Sequence, residues 1–275
     1  GEEMRSVYDG FNHGDRTRIE LPAPQKRLLE AVQATGRPVV FVLMSGSAVA
    51  IPWAEAHVAA IVEAWYPGEA GGTAVADVLL GKTNPSGRLP VTFYRSTSDL
   101  PAFADYRMEG RTYRYFRGPV LYPFGYGLSY TRYRYDHFAV WSAFPAEGTR
   151  RRYSRGGAWA TRRGDPRGKW AGTEVLAFAS VKVTNTGSRA GDEVVQLYAC
   201  EPDGPMKRDQ ESLCGFRRVS LAPGETKDVR FAVTRFALRR WDARHGAYVV
   251  PSGAWTFRVG ASSADIRSSA GLDLN

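Results

Sequence analysis

At 275 residues the chain exceeds the comfortable size of one hydrophobic core, so two domains are expected. Its 43% hydrophobic and 24% charged content are globular averages, which excludes a chain disordered throughout. The net charge of +9 is mostly local: between Phe144 and Trp170 eight basic residues stand against Glu147 and Asp165, leaving an ordinary balance elsewhere and no fold-wide signature of nucleic-acid binding.

In chain order, the first element is an amphipathic helix over Pro24 to Gln33, with Pro24 in its first turn, Leu28, Leu29 and Val32 at helical spacing, and Gly36 as its stop. Pro38 to Met44 is a continuous apolar run rich in β-branched residues, which predicts a strand buried on both faces, as in parallel sheets. Ser45-Gly46 breaks it. A helix-like segment leads to a second short strand within Ala59 to Trp65, and Gly71 to Leu80 returns to helical spacing through Val75, Val78 and Leu79. This is α/β alternation. From about Tyr133 the character changes: Tyr133 to Val140, Val175 to Thr184, Glu193 to Ala199, Phe216 to Leu221, Lys227 to Val233 and Trp255 to Gly260 read as short strands. Turn signals such as Asn185-Thr186-Gly187 and Pro223-Gly224-Glu225 separate them, which predicts an antiparallel sandwich of immunoglobulin-like or fibronectin type III-like architecture. The Arg/Gly-rich stretch at about 142–172 has no sustained apolar period and is read as a mobile insert between the first two strands.

Several motifs that suggest chemistry fail on spacing. Gly81-Lys82-Thr83 has the end of a phosphate-binding loop, but that loop needs Gly where Ala76 stands, and the triplet follows a helix instead of preceding one. Gly68-Glu69-Ala70-Gly71-Gly72 lacks the dinucleotide-binding spacing and is read as a tight helix entry. His13, His57, His137 and His245 are too scattered to predict a metal, and no Gly-x-Ser-x-Gly elbow is present. No cofactor is expected. Cys200 and Cys214 are read as two free buried thiols, with a bridge left open should they fall on neighbouring strands. The longest apolar runs are far below the roughly 20 residues of a membrane span. Gly1 is neither an initiator Met nor the start of a signal peptide, so an upstream segment is expected and cytoplasmic, periplasmic and secreted locations all stay open.

Longer strings carry more. Thr35-Gly36-Arg37-Pro38-Val39-Val40, Ala64-Trp65-Tyr66-Pro67-Gly68-Glu69-Ala70-Gly71-Gly72 and Asn84-Pro85-Ser86-Gly87-Arg88-Leu89-Pro90-Val91-Thr92-Phe93 resemble, in order, successive blocks of the second domain of glycoside hydrolase family 3. Tyr122 to Thr131 is similar to that family's passage into its third domain. Val183 to Gly187, Glu193 to Tyr198 and Leu221 to Glu225 resemble the third, fibronectin type III-like domain itself. The fold class expected is therefore an α/β sandwich domain, partial and with a mostly parallel sheet, over 1–131, followed by an all-β fibronectin type III-like sandwich over 132–275 that carries the insert.

The resemblance implies part of a retaining, exo-acting β-glycosidase acting on plant-type oligosaccharides, with the nucleophile on an N-terminal β/α barrel that this chain lacks. The opening Gly1-Glu2-Glu3-Met4 and the later Gly14-Asp15-Arg16-Thr17 resemble the loop that bears the acid/base Glu, which makes Glu2 the catalytic residue and Glu3 the runner-up. Glu2-Glu3-Met4, Ile19 to Gln25 and Leu43 to Ala48 look closest to the β-xylosidase branch, with β-glucosidase next. The partners implied are an oligosaccharide and the absent barrel, with no specific nucleic acid, no membrane, and homo-oligomerisation left open. Trp53, Trp65, Tyr126 and Tyr130 are expected to pack in a core or domain interface more than to stack on sugars. Arg88 and Asp15-Arg16 are expected to fix loops through buried ion pairs. A non-catalytic carbohydrate-binding or interaction module is the alternative, and a basic nucleic-acid binder stands third.

Overall fold

The computed structural model describes residues 11–12, 15–144, 174–202 and 211–274. The expected acid/base Glu2, its runner-up Glu3, His13 and nearly all of the Arg-rich insert lie outside them. Contacts divide the chain into two compact units: residues 1–83 with 89–126, and 84–88 with 127–275.

The first unit opens on a minimal hairpin, β1 (Phe11–Asn12) and β2 (Asp15–Arg16). Helix α1 (Ala23–Gln33) follows, with Pro24 in its first turn where the missing N–H costs nothing, and the chain leaves it through Gly36 at φ 73°. Strand β3 (Val40–Leu43) pairs in parallel with β4 (Ala60–Glu63), residue Val40 opposite Ala60 and Leu43 opposite Glu63. Parallel neighbours need a long crossover, and residues 44–59 supply it with α2 (Pro52–His57) on the way. Helix α3 (Gly71–Leu79) and the single turn α4 (Thr112–Tyr115) complete the unit.

Its core gathers Leu29, Leu43, Val49, Ile51, Ala54, Phe93 and Leu121. Phe93 is almost fully buried, with the Trp65 and Tyr122 rings packed edge-to-face on it at centroid separations of 6.1 Å each. The α/β character expected from the sequence is present, but β3 is less enclosed than a strand covered on both faces: Leu43 is buried, Phe41 and Val42 are half-buried, and Val40 is exposed. Among the described residues β3 has β4 as its one strand neighbour, and the cluster around Leu43 is completed by Leu29 of α1 and Ala54 of α2, which leaves Val40 at the edge exposed. Helix α1 shows the same shortfall, burying Leu29 while Leu28 and Val32 remain exposed.

The second unit is a sandwich of two antiparallel sheets. Its strands are β5 (Tyr133–Ser142), β6 (Val175–Asn185), β7 (Gly191–Cys200), β8 (Glu211–Leu221) and β9 (Thr226–Thr234). After the short turn α5 (Arg235–Leu238) come β10 (Arg240–Asp242) and β11 (Ala247–Val249), which form a separate hairpin, then β12 (Gly253–Gly260) and β13 (Ile266–Leu274). One sheet runs β5-β6-β9 and the other β13-β12-β7-β8.

Alternation decides which side chains enter the core. Ala177, Ala179, Val181 and Val183 of β6 point inward beside Val229, Phe231 and Val233 of β9, with Ala179 opposite Phe231 and Val181 opposite Val229. From the other sheet Val195, Leu197 and Ala199 of β7 meet Trp255, Phe257 and Val259 of β12. Small residues on β6 and large ones on β12 belong to one buried cluster, as expected where two sheets pack face to face.

The six strands expected from the sequence all form. Strand β13 and the β10-β11 hairpin are additional.

Candidate functional site

The polar features of the first unit converge at the C-terminal end of the parallel pair, where open α/β sheets characteristically offer a crevice to ligands. Three segments meet there. Strand β3 ends in Ser45-Gly46-Ser47-Ala48. Strand β4 ends in Glu63, followed by Ala64-Trp65-Tyr66. The hairpin β1-β2 brings Arg16, whose guanidinium donates hydrogen bonds to the Ser47 hydroxyl and, at 3.2 Å, to the Ala48 carbonyl.

Arg16 has no carboxylate partner among the described residues. The expected ion pair at Asp15-Arg16 is thus replaced at Arg16 by donation to neutral oxygens, which suits an exposed guanidinium: five N–H groups need acceptors, and a loop carbonyl supplies one without a charge having to be desolvated. The segment following Glu2 is tied, fourteen residues on, to the loop at the mouth of β3.

Gly46 lies close against Tyr66. A Cβ added there would come within 2.5 Å of the Tyr66 ring, so a side chain at this position would require the exposed Tyr66 ring to move aside. Trp65 itself adopts φ 54°, a left-handed conformation costly for a bulky residue. The Glu63 carboxylate holds this turn by accepting from the Trp65 backbone N–H at 2.9 Å through Oε1. Burial pushes the Glu63 carboxyl above its ordinary range, and the Trp65 hydrogen bond only partly offsets this. Its Oε2 is buried with no hydrogen-bond partner among the described residues. Such a carboxyl, more readily protonated than an ordinary glutamate, has one oxygen free to donate to or accept from a hydroxyl. Sequence reasoning passed over Glu63. The available signal is an acidic residue closing an otherwise apolar strand.

Glu20 shows the opposite environment. Burial pushes its pKa up, but hydrogen bonds from the Thr97 backbone at 2.7 Å, the Thr97 hydroxyl at 2.7 Å and the Ser96 hydroxyl at 3.3 Å outweigh that, and the carboxyl titrates below its ordinary range. It is an ionised structural acceptor that pins the 96–97 turn beside the parallel bridge between Glu20 and Ala50.

The aromatic residues singled out in the sequence mostly pack. Trp53 stacks on His57 with centroids 4.6 Å apart, Trp65 meets Phe93, and Tyr126 stacks on Tyr122 at 5.2 Å. In the second unit Tyr130 is exposed, with the Arg189 guanidinium 5.4 Å from its ring. The His57 Nδ1–H donates to the Trp53 carbonyl at 2.7 Å, and His245 pairs with Asp242. Among the described residues no group of three His, Cys, Asp or Glu side chains is placed to hold a metal, and no helix is long and apolar enough to cross a membrane.

The motif Asn84 to Arg88 contributes to the second unit. The Asn84 amide donates to the Ala190 carbonyl at 3.0 Å while its oxygen accepts from the Ser129 hydroxyl and the Tyr130 N–H. Arg88 forms a buried ion pair with Glu193, Nη2 to Oε2 at 2.7 Å, the two side chains being 8% and 2% exposed. The Tyr135 hydroxyl donates to the other Glu193 oxygen, also at 2.7 Å. Arg88 therefore fixes its loop by an ion pair as expected. Gly127 lets it do so, since a Cβ there would meet the Gly87 carbonyl at 2.2 Å. Cys200 on β7 and Cys214 on β8 are free thiols. Register separates them, since Cys200 lies opposite Glu211 while Cys214 occupies the bulge across from Leu197 and Tyr198.

Comparison with known proteins agrees with this architecture. The glycosyl hydrolase family 3 C-terminal domain matches residues 1–130, and the fibronectin type III-like domain matches residues 193–263. A xylan 1,4-beta-xylosidase from Xylanibacter ruminicola is 41% identical over 268 residues, covering 96% of this chain and 27% of that protein. A periplasmic beta-glucosidase of Salmonella typhimurium is 36% identical over 97% of this chain and 32% of its own length. Among solved structures, a beta-D-glucoside glucohydrolase from Trichoderma reesei superposes with a TM-score of 0.82 at 30% identity, covering 98% of this chain and 38% of that one. The chain thus spans about a third of the length of the relatives it matches. With both domain matches in order along one chain, and with relatives of this similarity across nearly all of it, the chain belongs to glycoside hydrolase family 3, of which it carries the C-terminal domain and the fibronectin type III-like domain.

Proposed function

We propose that this chain is the acid/base-bearing portion of a retaining, exo-acting β-glycosidase, a β-xylosidase first and a β-glucosidase next, that works together with a nucleophile-bearing β/α barrel outside the chain. The observation that carries the reading is the 41% identity to a xylan 1,4-beta-xylosidase across 96% of the chain. The anchoring of the segment after Glu2 by Arg16, at the C-terminal end of the parallel strands, is consistent with it.

In such an enzyme two carboxyls about 5 to 5.5 Å apart divide the work: one attacks the anomeric carbon, and the other protonates the departing oxygen and then deprotonates water. Glu2 is assigned the second role. Its pKa would be raised by burial and by the facing carboxylate once the barrel is in place.

The test is kinetic and uses the enzyme with its barrel. Glu2→Ala is expected to lower turnover by about 10² to 10⁴-fold on aryl β-xylosides with poor leaving groups, to spare good leaving groups more, and to recover partly with azide. An equal loss for good and poor leaving groups would make Glu2 structural, and a dominant effect at Glu3 would transfer the role to its neighbour. The 275-residue chain alone is expected to show negligible hydrolysis, and robust turnover by it would overturn the division of carboxyls.

A further inference from the structure

Within the second unit, the β10-β11 hairpin and the turn before it build a row of exposed rings around one cation. The Arg239 guanidinium carbon lies 4.1 Å from the Phe236 ring centroid and 4.2 Å from that of Tyr248. Trp241, the cross-strand partner of Tyr248, continues the row edge-to-face at 5.2 Å. None of the three rings is buried by this packing: Phe236, Trp241 and Tyr248 are 60%, 57% and 58% exposed.

A guanidinium this close to two rings is held by them without using a donor, so its N–H groups stay available to an acceptor. They have no carboxylate partner among the described residues. Among the described residues three acids of this region are engaged: Glu174 with Arg235, Glu201 with Arg240, and Asp242 with His245 and the Arg244 N–H. Arg244 likewise has no side-chain carboxylate partner among the described residues. The region therefore presents a pre-oriented donor fork flanked by aromatic faces, with positive charge to spare.

We infer that this hairpin is a surface binding site for a uronic acid residue of a glycan, the Arg239 fork taking the sugar carboxylate and Trp241 packing on the apolar C–H face of the ring. Planar, bidentate recognition of a carboxylate is what distinguishes Arg from Lys, and an exposed indole is the side chain best suited to an amphipathic sugar face. The site binds and does no chemistry. The choice of a glycan over another carboxylate-bearing ligand rests on the glycosidase reading above. Glucuronate branches on a xylan and galacturonate in a pectin share the required chemistry.

The test is affinity electrophoresis of the full chain in gels containing glucuronoxylan, polygalacturonate or a neutral xylan, with free methyl glucuronide or xylose as competitor. Retardation is expected in one or both acidic polymers and not in the neutral one, with relief by the glucuronide alone. The two acidic gels distinguish the source. Because the chain is basic, bulk attraction must be separated from a built site. Arg239→Lys conserves charge and Trp241→Ala does not alter it, yet each is expected to weaken binding about tenfold. Arg239→Gln serves as a third variant, and unchanged melting temperatures show that the hairpin survives. Equal retardation by neutral and acidic gels, or undiminished binding by Arg239→Lys and Trp241→Ala, would overturn the site. Neither outcome touches the leaving-group dependence that tests Glu2.

Discussion

The two units solve the problem of burial unequally. In the second, seven strands in two sheets enclose a core in which Ala177, Val183, Val195, Leu197, Phe257 and Val259 have no exposed surface. In the first, a single pair of four-residue parallel strands supports seven buried side chains, while Leu28, Met44, Tyr66, Leu80, Phe103 and Tyr106 stay exposed. A sandwich closes on itself because each sheet covers the other. A parallel pair has to be covered by elements on its flanks. The same amino-acid types consequently carry different energies in the two halves of one chain.

The sharpest way to break the comparison is to truncate a residue at the centre of the sandwich. Phe257 is 0% exposed and lies between Ala199 and Ala270 along its sheet. Phe257→Ala is expected to cost about 3 to 5 kcal/mol, the lost transfer energy plus a cavity that the rigid sheets cannot collapse. Denaturant melts of the chain would measure it, and a loss below about 1 kcal/mol would show that the core is looser than its packing implies.

Charge offers a second contrast. Glu193 is buried against Arg88 and Tyr135, so Glu193→Ala leaves a guanidinium desolvated without a counter-charge, and a loss of about 3 kcal/mol is expected. Glu20, in the first unit, is less enclosed and accepts from Thr97 and Ser96. Glu20→Gln is expected to cost only about 1 kcal/mol at neutral pH. Its folded-state pKa lies below the ordinary value, so the stabilisation is fully present above the unfolded pKa of about 4.3 and disappears as pH falls through the folded one. The gap between wild type and Glu20→Gln should narrow on acidification below about pH 4. A gap that widened there would reverse the assigned direction.

How far these environments can be read without coordinates depends on how local their causes are. The strands of the sandwich are legible because alternation of Val, Ala and Phe along β6 and β9 is a property of each segment alone. Strand β13 is not: Arg267, Ser268, Ser269, Gly271 and Asp273 have little intrinsic preference for a strand, and its place comes from pairing with β12, Gly253 opposite Leu274. Asn84-Pro85-Ser86-Gly87-Arg88 is conspicuous as a string, but its reason, Arg88 reaching a glutamate 105 positions later, is invisible to any local pattern. Asn185 is similar. Its amide satisfies the Arg189 and Leu221 carbonyls, and its oxygen takes the Thr131 hydroxyl and the Gly187 N–H, a four-way junction that a turn signal only hints at.

The candidate site divides the same way. Glu2 comes from the family resemblance and lies outside the described residues. Glu63 emerges only when β3 and β4 are paired and Trp65 is seen to turn back over the strand end. The β10-β11 hairpin is not legible in the sequence because Trp241 and Tyr248 lie outside the alternating runs and acquire meaning only as a cross-strand pair beside Arg239.

The smallest effect is expected where the comparison is strictest, at a phenylalanine in the first unit subjected to the same truncation as Phe257. Phe103 is 89% exposed, so removing its ring forfeits almost no burial and opens no cavity. Phe103→Ala should therefore change stability by no more than about 0.5 kcal/mol. Its effect should be seen instead in association, because Phe103 and Tyr106 stand exposed three positions apart and apolar side chains so placed invite contact between molecules. Light scattering of the chain at high concentration should show less self-association for Phe103→Ala than for wild type, with the melting transition unmoved. A loss of stability approaching that of Phe257→Ala would mean that the ring is covered within the folded unit and that the first unit is better enclosed than its exposed side chains indicate.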